Sequence, residues 1–294
     1  MRCSAIAAGV AALTLQFSAG AIDEINISDG GITFELRNLE GGRLQTSAGL
    51  GDLFVPVSPV QDQLFQNWWW YRTATDDREY ALSNQVQGND GANWARLVYD
   101  EPANDGATPD AVRFEIEYTV AEINVDGRSR AMVVMGWKMR NLLNVSQAVQ
   151  LFNYNDMRLG ATSANDTARV DGADDNIQRI RERSIDASYV ASSTNHVSYE
   201  IDAWPVIRGY LTDGDVDNPA NLGSPFGPGN YTGVNRWGAL LAPAGSDQDT
   251  LVGSVVLMVE GETCRADWDG NGVVNAADVG AFLSEYFQSI GPCP

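Results

Sequence analysis

Near the C-terminus, oxygen-bearing side chains recur at a spacing that suits a hard cation. Counting Asp267 as position 1, donors stand at positions 1, 3, 5, 9 and 12 (Asp267, Asp269, Asn271, Asn275 and Asp278), with Gly272 at position 6. Calcium takes six to eight oxygens at roughly 2.3–2.6 Å, so a short loop must turn sharply around it, and a glycine in sixth place permits the turn. In this arrangement Asp267, Asp269 and Asn271 point inward and Val273 lends its backbone carbonyl. Asn275 ligates directly or through water, and Asp278 closes the shell from the first turn of a following helix.

Other residues able to do chemistry are fewer. His196 is the one histidine, which removes a multi-histidine zinc site, and it is expected to be structural. No Gly-x-Ser-x-Gly elbow surrounds a serine. Acids abound, and paired carboxylates flanking a cleft are what glycoside hydrolysis needs. Glu115 and Glu117 share a strand face opposite Phe114, Ile116 and Tyr118, so they read as solvated surface. Asp156, beside aromatics near a strand end, is a more interesting acid. Asp213-Gly214-Asp215-Val216-Asp217-Asn218 begins like a calcium loop but lacks the glycine at position 6 and the acid at position 12, and reads as an acidic turn. Leu64-Phe65-Gln66-Asn67-Trp68-Trp69-Trp70-Tyr71-Arg72 offers either a platform for stacking sugar rings or core. Alternation on a strand sends Trp68 and Trp70 one way and Trp69 and Tyr71 the other, so at least half of them belong inside.

The elements that must carry these residues are mostly strands. Ile32–Leu36 and Val112–Tyr118 alternate apolar and polar, the mark of a half-buried strand. Further strands are expected over 131–139, 148–154, 197–201, 206–211, 238–241 and 251–259, separated by Asp-Gly and Asn-Asp-Gly turns. One sizeable helix is conceivable around 174–186, against its charge. Many short strands without alternating long helices predict a mainly β chain, an antiparallel β-sandwich over residues 22–260. Beyond it, Val279, Phe282, Leu283 and Tyr286 give a helix one apolar face after the calcium loop.

Composition bounds the setting. Arg2, the apolar run Ala5–Phe17 and Ala19-Gly20-Ala21 predict a signal peptide over 1–21, removed on export. No later run is apolar for the roughly 18 residues of a membrane span, so a secreted or cell-surface protein is expected. A net charge of −20 with a single lysine, Lys138, argues against nucleic acid as a partner. With Cys3 in the signal, Cys264 and Cys293 are the one remaining pair, and an oxidising compartment predicts their disulfide. Closing a loop of that size restricts the unfolded chain by about 3–4 kcal/mol.

Asp-x-Asp-x-Asn-Gly-x-x-Asn-x-x-Asp followed by an apolar-faced helix matches the calcium loop of an EF-hand except at its last residue. The segment 264–294 resembles one repeat of a type I dockerin. The resemblance implies calcium ligation by Asp267, Asp269, Asn271, Asn275 and Asp278, and attachment to a cohesin-like or cell-surface protein. A typical dockerin has two such repeats and this chain has one. The stretch 64–72 resembles segments of exported bacterial sandwich proteins of unnamed activity. Three functions follow as expectations: a non-catalytic extracellular binding protein tethered by its tail, with carbohydrate as a possible ligand; a secreted carbohydrate-active enzyme; and a structural envelope component.

Overall fold

The computed structural model describes residues 24–37, 50–55, 61–125, 128–159, 164–172, 174–182, 185–260 and 280. The expected signal peptide (1–21), the expected calcium loop (267–278) and Cys264 and Cys293, for which a disulfide is expected, lie outside them. The described chain is an antiparallel two-sheet β fold. One sheet runs in the order β1 (Ile25–Asp29), β2 (Ile32–Arg37), β3 (Leu50–Val55), β4 (Gln61–Thr73), β10 (Gln147–Met157), β16 (Tyr231–Leu241) and β14 (His196–Ala203), with β5 (Tyr80–Ala81) paired to β4. The second runs β15 (Phe226–Gly229), β11 (Asp166–Asp171), β12 (Ile177–Glu182), β13 (Ile185–Ala191), β17 (Thr250–Glu260), β9 (Arg128–Asn141), β8 (Thr108–Val125), β7 (Trp94–Ala103) and β6 (Gln85–Asp90).

The core lies between the sheets and is built from aromatic rings. Trp69 packs 6.2 Å from Trp237, which packs 5.4 Å from Trp137 on the opposite sheet. Tyr71 meets Phe114 at 5.3 Å, and the indole of Trp69 donates to the Tyr118 hydroxyl at 3.1 Å. Burying a tryptophan removes roughly 150–250 Å² from water, about 4–6 kcal/mol as an upper bound. Gly253, paired with Trp137, is what leaves room for that ring, since a Cβ there would sit 2.3 Å from it. The interior also holds a polar layer. Asn67 and Asn153 exchange side-chain hydrogen bonds at 3.0 and 3.2 Å, and the Tyr189 hydroxyl donates to Asn153 Oδ1 at 2.6 Å. Such buried amides are stable because each is partnered.

Two expectations are corrected. Residues 206–211 form no strand; Val206–Tyr210 is a helix, α1, because Ile207 and Leu211 are the buried positions, an i, i+4 spacing. Nor is there a helix over 174–186. That stretch contains β12 and the start of β13, where Gln178, Ile180 and Glu182 turn inward while Arg179 and Arg181 turn out to pair with Asp171 and Asp186. The charges follow the two-residue period of a strand. The aromatic run of β4 offers no platform either, because both of its faces are covered and Trp68, Trp69, Trp70 and Tyr71 are all buried.

Candidate functional site

The strands β4, β10, β16 and β14 are neighbours, and their register aligns Gln66, Asp156, Thr232 and Asp202 in one row. Because adjacent strands are antiparallel, the row falls near the start of β4 and β16 and near the end of β10 and β14. Trp69, Tyr71 and Trp237 occupy the face toward the second sheet, so alternation puts this row on the opposite face. Just beyond it, four more residues converge from the same strand ends. Phe65, Arg158, Trp204 and Asn230 join Asp156 to line a pocket of about 220 Å³. The backbone N–H of Trp204 donates to the Asn230 carbonyl at 2.8 Å, fixing the two loops against each other.

The pocket has an apolar mouth and a polar floor. Phe65 and Trp204 are 42% and 49% exposed, unusual for large aromatics and therefore informative here. Asp156 is only 3% exposed. Burial pushes its carboxyl up to about 7, against the opposing pull of the Tyr154 hydroxyl, Arg158 and Arg208. The Tyr154 hydroxyl sits 3.4 Å from Asp156 Oδ2. Asp62, whose Oδ1 accepts from the Leu64 N–H at 3.1 Å, is likewise raised by burial and lowered by Arg158. Asn230 Oδ1 is buried without a hydrogen-bond partner. Near neutral pH the pocket thus presents an acid close to half-protonation and an amide acceptor on its floor, and a guanidinium at its mouth.

The far end of the same sheet face is closed. Arg72, paired with Gln150 across β4 and β10, donates to Glu79, to the Asp217 carbonyl at 2.9 Å, and to Gln150 and Asn218 at 2.8 Å each. Arg236 adds a bond to Asn218. Burial raises the Glu79 carboxyl to about 7 although Arg72 opposes it. Between this cluster and the pocket lies α1, whose Arg208 sits 6.0 Å from the centre of the Trp70 ring. The cluster ties the 213–218 turn to the sheet. A wider groove of about 840 Å³ runs over β11, β12 and β13, where Arg169 and Arg179 are paired with Asp171 and Arg181 with Asp186.

Of the residues singled out from the sequence, Asp156 and Phe65, the latter within the 64–72 stretch, lie in the pocket. His196 is structural: its Nε2 bonds Asn235 Oδ1 at 2.9 Å, its ring stands edge-on to Trp237, and burial lowers its pKa. Glu115 bridges Arg96 and Lys138 on the surface. Asp213 and Asp215 are exposed, as a solvated turn should be. Among the described residues no group of three or more His, Cys, Asp or Glu could hold a metal, and no helix is long and apolar enough to cross a membrane. The proposed calcium ligands from Asp267 to Asp278, and Cys264 and Cys293, are outside the described residues. Sequence reasoning missed Arg158, Trp204 and Asn230. The one signal for them was a tryptophan before a proline directly after a strand.

No protein-family model matches the sequence, and no curated protein does. Among solved structures the chain is similar to a bacterial glucoamylase complexed with acarbose, at 9% identity and a TM-score of 0.50, over 88% of this chain and 35% of that one. It thus spans about a third of that protein's length and shares the fold of that part. A protein of Synechocystis sp. PCC 6803 (8% identity, TM-score 0.49) matches over 84% of this chain and 99% of its own. An aldose epimerase homologue from C. elegans (10% identity, TM-score 0.48) matches over 81% and 99%.

Proposed function

We propose that the chain is an exported, non-catalytic saccharide-binding protein. Its β-sandwich holds a sugar residue in the Phe65–Trp204 pocket, and residues 264–294 form a calcium-ordered, dockerin-like module that attaches it to a cohesin-like or cell-surface protein. The observation that carries the sugar reading is the pairing of two half-exposed aromatic rings with a polar floor of Asp156 and Asn230, Arg158 standing at the mouth. Aromatic faces receive the apolar side of a sugar ring, while carboxyl and amide groups take its hydroxyls. At about 220 Å³ the pocket is smaller than the roughly 300–1,000 Å³ of drug-sized sites, which suits a single ring. The fold shared with part of a glucoamylase accords with a saccharide ligand.

The test is binding of the full chain to an immobilised oligosaccharide panel. Trp204→Ala removes a ring worth about 1.4 kcal/mol of stacking, a tenfold loss of affinity. Full affinity in both Trp204→Ala and Phe65→Ala would refute the reading. A second reading, a carbohydrate-active enzyme, draws on Asp156, whose carboxyl near 7 suits a general acid. Release of new reducing ends from the panel, lost in Asp156→Asn, would favour it.

A further inference from the structure

We infer that the pocket selects a hexuronic acid residue, its carboxylate held by Arg158 and its ring between Phe65 and Trp204, with Asp156 and Asn230 bonding the rest of the sugar. This rests on the saccharide reading and adds the class of sugar. Arg158 follows the end of β10, and its guanidinium lies 5.1 Å from the centre of the Phe65 ring, which holds it at the pocket mouth. Among the described residues its side chain has no ion pair and no hydrogen bond. That sets it apart in a chain with 39 acids and 19 bases. Arg72, Arg96, Arg113, Arg140 and Arg179 each meet a carboxylate. A cation left open beside an aromatic-walled pocket is suited to a ligand's carboxylate, which a planar guanidinium grips through two parallel bonds.

The neighbouring acid decides when such a ligand is admitted. The groups acting on the Asp156 carboxyl are the Tyr154 hydroxyl, Arg158, Arg208 and Asp62, with Asp166 and Tyr231 feeling its charge. Below about 7 Asp156 is largely neutral and donates a hydrogen bond, so a second carboxylate nearby is tolerated. Above it the ionised group repels the incoming carboxylate. Asn230 Oδ1, buried and unpartnered, is ready to accept from a ring hydroxyl.

The experiment compares α-1,4-linked trigalacturonate with the matching neutral trigalactoside by calorimetry on the full chain. At about pH 6 the uronate should bind about tenfold tighter, one carboxylate–guanidinium contact being worth roughly 1.5 kcal/mol. Arg158→Gln, on an exposed side chain that the core does not need, should abolish that preference, bringing the uronate down to the affinity of the neutral sugar measured on the same variant. Raising the pH from about 6 to 8 should weaken the uronate in the wild type but not in Asp156→Asn. Equal or tighter binding of the neutral sugar, or an unchanged ratio in Arg158→Gln, overturns the inference and leaves the saccharide reading standing. Binding of neither sugar, here and across the wider panel, overturns both.

Discussion

Replacing Asp156 by asparagine keeps the shape of the side chain and removes its titration, which makes it a direct probe of what burial does to this carboxyl. In the folded chain the group rises from 3.8 to about 7, chiefly by desolvation at 3% exposure. At about 1.4 kcal/mol per tenfold change in proton affinity, that rise corresponds to about 4 kcal/mol. For a carboxyl raised in the fold, the native state binds more protons than the unfolded one between the two pKa values. Stability is therefore complete below about pH 4, falls as pH rises toward 7, and is constant above. The asparagine variant carries no such loss. The difference in unfolding free energy, variant minus wild type, should accordingly climb by about 4 kcal/mol between about pH 4 and pH 8. Urea unfolding of both proteins across that range measures it; the raised carboxyl of Glu79, on which Asp156 does not act, cancels in the difference, while the part of the Asp166 rise that comes from the Asp156 charge is removed with it. A difference that stays flat to within about 1 kcal/mol would show the carboxyl to be well solvated and would remove the argument for a neutral acid in the pocket.

Two further outcomes are expected. Arg72→Met leaves the fully buried Glu79 carboxyl without its counter-charge and frees the 213–218 turn, and should cost about 3–5 kcal/mol by urea unfolding, with Glu79→Gln in the same chain recovering part of it. A loss under about 1 kcal/mol would contradict the role of the cluster. In calorimetric titration, the full chain should take up one calcium ion in the 267–278 loop, and both Asp267→Ala and Asp278→Ala should abolish it; uptake unchanged in both variants would remove the ligand assignment.

The sequence by itself determined the architecture wherever one physical rule acted alone. Period-two alternation in 32–36 and 112–118 marked strands whose alternate side chains are buried, and it put Trp69 and Tyr71 on one face, where they meet Trp237 and Phe114. Period alone does not say whether a face is covered, so it left open that both faces of β4 are buried. Only the packing of α1 and the 213–218 turn against the outer face decided that. Where two periods compete in a short segment, as in 206–211, the surroundings chose: Ile207 and Leu211 had apolar surface beneath them at helical spacing. The pocket was the least legible part. Phe65, Asp156, Trp204 and Asn230 are far apart in the chain and meet because antiparallel pairing of β4, β10, β16 and β14 brings alternate strand starts and ends to one edge. Asp156 could be noticed as an acid among aromatics, but its protonation near neutrality comes from desolvation, a property of the assembled sheet that exists in no local stretch of sequence.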